Sequence, residues 1–186
     1  MEFLNDIENY DDLFKFIVVG ASSVGKSLFR ERIKLYNDYH RYKNISKAHI
    51  ETIGIDFSVF GVKLNNKKYK IQFWDSAGDE RFKGIVRTYF KGCRVIIIIY
   101  DSYNRNSFLK AKMIYKELSQ EYKKSIYCLI RCKYDFSLKE NKNDFVYDEE
   151  ALEFATESNI IFSHISSFEK YETGIKQLFT SIFNKI

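Results

Sequence analysis

A glycine-containing loop between an apolar run and a helix-forming segment constrains this chain most. The apolar run covers residues 14–19, the loop that follows reads GASSVGKS (residues 20–27), and LFRERIKLY comes next. In this strand–loop–helix context, the pattern G-x-x-x-x-G-K-[ST] places backbone amides around phosphate oxygens, and the helix N-terminus adds positive charge. The lysine, Lys26, then reaches the terminal phosphates, and the Ser27 hydroxyl binds Mg²⁺. The sequence therefore predicts a site for the phosphates of a nucleotide.

The loop and the first residues of its helix supply the predicted phosphate contacts. A chance match in a glycine-containing turn is the alternative interpretation, and the correct strand and helix context argues against it. The motif indicates a nucleotide without saying which one. The predicted contacts are Ser22, Ser23, Val24, Gly25, Lys26, Ser27 and Leu28.

The order of apolar segments predicts the fold class. Residues 95–100 (VIIIIY) are apolar at every position, as in a parallel strand covered on both faces, and residues 126–132 and 160–165 are similar. Two strand-like runs flank Asn65 and Asn66, which suit a tight hairpin, and helical spacing recurs in three later segments. We predict a three-layer α/β domain with a mostly parallel, six-stranded sheet and one antiparallel edge strand. It spans residues 14–186, after an N-terminal extension of residues 1–13.

The composition limits the classes of protein that the chain can represent. Its 186 residues, 45% of them hydrophobic, suffice for the core of one domain. Because the net charge of +5 arises from scattered charges of both signs, nucleic acid is not an expected partner. The acidic N-terminus is unlike a signal peptide, and no apolar segment is long enough to span a membrane. Three cysteines without metal-ligand spacing suit a reducing compartment, so a cytoplasmic location is expected.

A second motif, WDSAGDERF (residues 74–82), follows a predicted strand. Asp75 lies at the end of that strand, where a carboxylate can hold Mg²⁺ from the side opposite Ser27, usually through water. Gly78 leaves a backbone amide free to approach the γ-phosphate. An ordinary turn after a strand is the alternative, and the presence of the phosphate loop argues against it.

Five segments resemble, in order and spacing, the Rab subfamily of the Ras-superfamily small GTPases. They are TIGIDF (52–57), WDSAGDERF (74–82), RFKGI (81–85), YFKGC (89–93) and YDSY (100–103). The resemblance implies a P-loop G domain that binds GTP and GDP with Mg²⁺, hydrolyses GTP and engages effectors in vesicle traffic. It implies that Thr52 closes on Mg²⁺ and the γ-phosphate, and that the two switches lie around Thr52 and at residues 75–90. It also implies an exposed aromatic triad for effectors, formed here by Phe57, Trp74 and Tyr89.

The first base-recognition motif departs from the family pattern. The family sequence Asn-Lys-x-Asp appears here as C-K-Y-D at residues 132–135. Lys133 and Asp135 are retained, so the resemblance still implies guanine as the base. A thiol at Cys132 is a poor substitute for the amide hydrogen bonds of asparagine, so weaker nucleotide binding is expected.

The second base-recognition motif departs as well. The family sequence Ser-Ala-Lys appears as Ser166, Ser167 and Phe168. The Ser167 amide can still bind the base carbonyl, whereas the lysine that lies over the base edge is replaced by Phe168. The loss of the lysine contact with the base adds to the loss of amide hydrogen bonds at Cys132.

The residue expected to position the attacking water is the third departure from the family pattern. The glutamine that positions the attacking water in the family is Asp79 here. A carboxylate is repelled by a triphosphate and is shorter than the amide it replaces, so slow hydrolysis by Asp79, Gly78 and Thr52 is expected. A pseudo-GTPase interaction module with little or no hydrolysis, which could be one G domain of a larger protein, is the alternative. A P-loop small-molecule kinase lacks support, because the chain has no arginine-rich lid and a kinase has no use for Lys133 and Asp135.

Two further segments differ from Rab proteins. The segment between Ser27 and Thr52 is longer than usual, and either Tyr39 or Tyr42 could cover the guanine. Rab proteins end in a tail with prenylated cysteines, whereas the last cysteine here is Cys132, so no direct membrane anchor is expected in this chain. A truncated chain, a chain that continues into another domain and a naturally unprenylated member all remain open.

Overall fold

The computed structural model describes residues 1–4, 7–36, 52–133, 144–165 and 173–186, which contain seven strands and five α-helices. The strands are β1 (Glu2–Leu4), β2 (Asp12–Gly20), β3 (Ile55–Leu64), β4 (Lys67–Ser76), β5 (Val95–Asp101), β6 (Ile126–Cys132) and β7 (Ile161–Ile165). The helices are α1 (Lys26–Lys34), α2 (Lys83–Thr88), α3 (Arg105–Glu121), α4 (Asp148–Glu157) and α5 (Thr173–Phe183), and a 3₁₀ turn at Glu80–Phe82 precedes α2.

The strands form a single sheet in the order β1-β3-β4-β2-β5-β6-β7. Strands β4, β2, β5, β6 and β7 pair in parallel, and β3 runs antiparallel to both of its neighbours. Helices α1 and α5 pack on one face, where they share a core with the side chains of that face. Helices α2, α3 and α4 cover the other face. This arrangement confirms the predicted three-layer α/β fold.

The number of strands differs from the prediction. The sheet has seven strands among the described residues rather than six, because β1 pairs with β3 and takes the edge position along Gly61–Lys63. Phe3 of β1 pairs with Val62 and is only 3% exposed. Its ring lies 4.4 Å from that of Tyr36 and 5.0 Å from that of Phe179. Residues 1–13 therefore include one core strand and the start of β2. Three residues with one buried side chain carry no periodic signal in the sequence.

We expect Phe3→Ala to lower the free energy of unfolding by about 3 kcal/mol, because the large buried ring would leave a cavity among three other aromatic rings. Urea denaturation measures this change. Leu13→Ala is the matched control, since Leu13 is 43% exposed and its loss should change stability by about 0.5 kcal/mol or less. Equal effects of the two substitutions would contradict a structural role for β1.

The β3–β4 hairpin confirms the sequence prediction. Asn65 and Asn66 both have positive φ, 50° and 64°, as a two-residue turn of this twist requires. Along β4, Ile71 and Phe73 face the core beneath α1 and α5, while Trp74 packs on the opposite face.

The extent of the last helix and the apolarity of the helices can also be compared with the sequence predictions. The helical spacing of apolar residues in the last segment extends to residue 186, whereas the last helix ends at Phe183. None of the described helices combines the length and apolarity needed to cross a membrane.

The parallel strands β2, β4, β5 and β6 end in the same direction, so the loops that follow them converge at one edge of the sheet. Ligands of α/β sheets bind at this edge.

Candidate nucleotide-binding site

The loop after β2 has the backbone that its glycines allow. Gly20 has φ 148°, and a Cβ there would lie 2.3 Å from the Ile99 carbonyl oxygen, so a side chain cannot be accommodated. Gly25 has φ 108° and precedes α1, while Ser23 is also left-handed at φ 62°. Because no side chain caps the N-terminus of α1, its first amides remain available to an anion.

Lys26 is the buried cation of this loop. Its side chain is 6% exposed, and Nζ donates to the carbonyl oxygens of Ala21 (2.7 Å) and Gly20 (3.2 Å). Burial lowers the pKa of Lys26 to about 8, and Asp75 opposes the fall, whereas Lys110 adds to it. Two neutral carbonyls solvate the ammonium group less well than water does, so an anion bound in the loop would stabilise its charge.

Ser27, Thr52 and Asp75 are the residues predicted to hold a metal ion. The Ser27 Oγ and Thr52 Oγ1 atoms lie 2.9 Å apart. Asp75 is completely buried, and neither of its carboxylate oxygens has a hydrogen-bond partner of normal geometry among the described residues. Burial raises the pKa of Asp75, while the nearby Ser27 hydroxyl, Arg30 and Lys26 pull it down. Two hydroxyls and a buried, incompletely satisfied carboxylate make an all-oxygen donor set, which fits Mg²⁺.

Gly78 brings the second predicted switch against the phosphate loop. A Cβ on Gly78 would lie 2.4 Å from the Ser22 amide nitrogen and 2.5 Å from the carbonyl of Ala21, so only glycine fits. The Gly78 carbonyl oxygen accepts a long hydrogen bond of 3.4 Å from Lys110 Nζ. This close approach places the Gly78 backbone beside the predicted phosphate contacts.

Asp79 is engaged within its own turn. Its Oδ2 accepts from Arg81 Nη2 (2.7 Å) and Nε (2.9 Å), and its Oδ1 accepts from the Arg81 amide (2.9 Å). The hydrogen bonds from the Arg81 side chain, and then from its amide, lower the pKa of Asp79. The carboxylate is therefore ionised near neutral pH and already accepts from a guanidinium group.

The end of β6 brings Cys132 and Lys133, the described residues of the first base-recognition motif, to the same edge. Cys132 is 1% exposed, and its carbonyl oxygen accepts from the amide (3.0 Å) and hydroxyl (2.5 Å) of Ser102. The Cys132 Sγ lies 3.9 Å from where a Cβ on Gly25 would stand, so the thiol faces the phosphate loop. Lys133 has φ 63°, and its Nζ donates to Asp101 Oδ2 at 2.7 Å.

Several predicted site residues lie outside the described residues. They are Asp135, Ser166, Ser167 and Phe168 of the base-recognition motifs, and Tyr39 and Tyr42 of the first switch.

The rings of the predicted aromatic triad form one continuous group on the face of β3 and β4 that lies opposite α1 and α5. The ring of Trp74 lies 4.5 Å from that of Phe57 and 4.9 Å from that of Tyr89. Phe57 is 46% exposed, whereas Trp74 and Tyr89 are half-buried. Lys15 Nζ lies 5.0 Å from the centre of the Trp74 ring, on the flank of the triad. The triad therefore presents one exposed ring supported by two partly covered ones.

Sequence reasoning missed Arg30. Its Nη1 forms an ion pair with Asp56 Oδ2 and lies 3.7 Å from Asp75 Oδ2. Arg30 follows Ser27 by three residues, and residues three apart share one face of a helix. A cation at this spacing was therefore the signal that could have placed Arg30 at the metal site.

The geometry defines a P-loop nucleotide-binding domain, and comparisons with known proteins identify its family. The Ras family model matches residues 15–186. The chain is 34% identical over 176 residues to Ras-related protein Rab-1 of Theileria parva, covering 95% of this chain and 75% of that protein. It is 33% identical over 182 residues to GTP-binding protein ypt1 of Schizosaccharomyces pombe, with 95% and 81% covered. It is also 33% identical over 178 residues to Ras-related protein Rab-13 of Canis lupus familiaris, with the same coverage. The chain therefore belongs to the Ras family and is a Rab-type small GTPase.

Proposed function

We propose that this chain is a guanine-nucleotide switch that binds GTP and GDP with Mg²⁺, hydrolyses GTP slowly and engages effectors in vesicle traffic. Two buried charged side chains, Lys26 at the start of α1 and Asp75 near the end of β4, carry this proposal. Lys26 is a buried cation held by neutral carbonyls, and Asp75 is a buried carboxylate whose oxygens lack normal hydrogen bonds. The phosphates of a magnesium nucleotide supply the anion that Lys26 needs, and its Mg²⁺ supplies the cation that Asp75 needs.

Each predicted residue has a separate task at this site. The loop amides and Lys26 bind the phosphates, and the hydroxyls of Ser27 and Thr52 hold the metal. Asp75 orients water around the metal, and the Gly78 amide approaches the terminal phosphate. Mg²⁺, when bound, neutralises charge on the phosphate oxygens. Because Thr52 and Gly78 belong to different switches, a terminal phosphate would draw both switches toward one point.

The effector surface proposed for the switch is apolar. The Phe57, Trp74 and Tyr89 triad follows the first switch at Phe57 and includes Tyr89 of the second, and the switch residues Ile53 and Ile85 are 81% and 54% exposed. A partner that covers this surface would contact both switches at once, so its affinity would depend on the terminal phosphate. The relatives named Rab support a role in vesicle traffic.

A pseudo-GTPase remains the second candidate, and the Asp79–Arg81 pair favours it. A carboxylate that already accepts three hydrogen bonds from Arg81 is not free to orient water. In this case the nucleotide would stabilise the fold without being turned over.

Denaturing the purified protein and identifying the released nucleotide by chromatography tests the proposal. We expect GDP or GTP at about one equivalent, as a tightly bound single-site ligand requires. Release of adenine nucleotides, or of none together with no uptake of added GDP, would overturn it. Single-turnover hydrolysis of bound GTP then separates the switch from the pseudo-GTPase, because only the switch converts GTP to GDP.

Cys132→Asn is expected to slow GDP release by about tenfold, because an amide at this buried position gains hydrogen bonds to its surroundings that a thiol cannot make. Stopped-flow release of a fluorescent GDP analogue measures the rate. Cys132→Ala is the matched control, since it removes the thiol without adding an amide and should not slow release. Release that is unchanged in Cys132→Asn would show that position 132 does not limit base binding.

A further inference from the structure

Arg30 brings a permanent positive charge to the carboxylate of the candidate metal site. Its side chain is only 13% exposed, and its Nη1 lies 3.7 Å from Asp75 Oδ2. This separation is too long for a hydrogen bond, so the attraction is electrostatic and the Asp75 oxygens stay open to another ligand. A guanidinium group stays protonated at every physiological pH, so the charge is constant.

Two other carboxylates hold the Arg30 guanidinium at this distance. Nη1 forms its ion pair with Asp56 Oδ2, while Nη2 and Nε donate to Glu31 Oε1 at 2.9 Å and 3.1 Å. The second oxygen of Asp56 accepts from the Phe57 amide at 2.8 Å, which fixes the Asp56 side chain. The guanidinium is therefore anchored beside Asp75 rather than on it.

The strand register explains why a cation is needed here. Asp56 of β3 and Asp75 of β4 are direct cross-strand partners. Like charges in opposite positions destabilise an antiparallel pair. Arg30 lies close to both carboxylates and offsets their repulsion across the strand pair.

We propose that Arg30 is a resident cation that weakens Mg²⁺ binding at the Ser27, Thr52 and Asp75 site. A divalent ion held through Asp75 must share that carboxylate with the Arg30 charge and is repelled by it. The inference rests on the proposed function, because the metal is the one that accompanies the nucleotide. Its consequence is a protein that releases Mg²⁺, and with it GDP, at higher free Mg²⁺ concentrations than it would with a neutral residue at position 30.

The test follows the release of a fluorescent GDP analogue from the full chain as free Mg²⁺ is varied. The free Mg²⁺ concentration that gives half-maximal slowing of release is the quantity compared. Arg30→Met, which keeps the apolar stem without the charge, is expected to lower this concentration about tenfold. Arg30→Lys keeps the charge and should stay within about threefold of the wild type. An unchanged or higher value in Arg30→Met, or a tenfold fall in Arg30→Lys, would overturn the proposal.

Asp56→Asn provides an independent variant with the opposite expected sign. Losing the Asp56 anchor lets the guanidinium pair directly with Asp75, so the half-maximal Mg²⁺ concentration should rise about tenfold. The same substitution in an Arg30→Met background should raise it by less, since no guanidinium remains to move. An equal rise in both backgrounds would overturn the proposed anchoring.

Release in excess EDTA separates the metal from the phosphates. Without Mg²⁺, Arg30→Met should release GDP as fast as the wild type, because Arg30 acts on the metal. A changed rate in EDTA would overturn this account in favour of direct contact between Arg30 and phosphate. If the wild type binds no guanine nucleotide at all, the proposed function fails, which differs from every outcome that rejects the role of Arg30.

Discussion

Lys26→Met is expected to weaken GDP and GTP binding by about 10³-fold, equivalent to about 4 kcal/mol, while leaving a folded protein. The expectation follows from the burial of Lys26, whose ammonium group is held by the Gly20 and Ala21 carbonyls at the floor of the phosphate loop. Methionine keeps the length of the side chain and loses the charge that would face the phosphates. Titration with a fluorescent guanine nucleotide measures the affinity.

Lys34→Met is the matched control for this substitution. Lys34 lies on the same helix, is 45% exposed and pairs with Glu31 at 3.4 Å, so its loss should change nucleotide affinity far less than the loss of Lys26. Binding by Lys26→Met that is less than about tenfold weaker than that of the wild type would contradict the assignment of the phosphate loop.

The same variant tests the electrostatics of the nucleotide-free protein. Folding lowers the pKa of Lys26 from 10.5 to about 8, so the folded form binds the proton less tightly than the unfolded chain. Protonated Lys26 therefore destabilises the fold below pH 8, by about 3 kcal/mol at pH 7, and this cost disappears as the pH rises toward 10.5. Lys26→Met should be more stable than the wild type at pH 7 when both lack nucleotide, and the difference should narrow by pH 10. A difference that is constant across this range would show that the burial of charge is not the cause.

Long or strongly patterned elements could be predicted from the sequence. Strand β6 has the predicted bounds, because a mostly apolar run marks it, and β3 ends where the predicted asparagine turn begins. Strand β1 and helix α2 have three and six residues and were not predicted. Their stability comes from tertiary contacts, such as those of Phe3 with Tyr36 and Phe179, that no local pattern reports.

The sequence predicted candidate binding residues, but it did not predict the contacts among them. Ser27 follows one predicted parallel strand and Asp75 ends another. Because parallel strands end at the same edge of a sheet, the sequence alone placed both residues at that edge. The contacts of Arg30 depend on side-chain direction across three elements, and the carbonyl partners of Lys26 depend on the path of the loop backbone. The order of residue types in the sequence indicates neither set of contacts. The roles predicted for Asp135 and Phe168 stay predictions.

Asp79→Gln is expected to raise the single-turnover rate of GTP hydrolysis about tenfold or more, since a glutamine amide can donate to the γ-phosphate while accepting from the attacking water. Asp79 cannot do both as a carboxylate, and its hydrogen bonds from Arg81 lower its pKa and keep it ionised. For the same reason, raising the pH from about 5 to about 8 should not speed the wild type, because the carboxyl group has no proton left to lose in that range.

Asp79→Asn separates water positioning from the simple removal of charge. Asparagine removes the ion pair with Arg81 and the repulsion between a carboxylate and the triphosphate, as glutamine does, but its amide is one methylene shorter. If the position acts on the water, only glutamine reaches it and only Asp79→Gln gains the full rate. Equal gains in both variants would mean that charge alone slows the wild type. A rate that Asp79→Gln leaves unchanged or lowers would show that residue 79 does not occupy the water-positioning place, and the pseudo-GTPase would then become the better account of this chain.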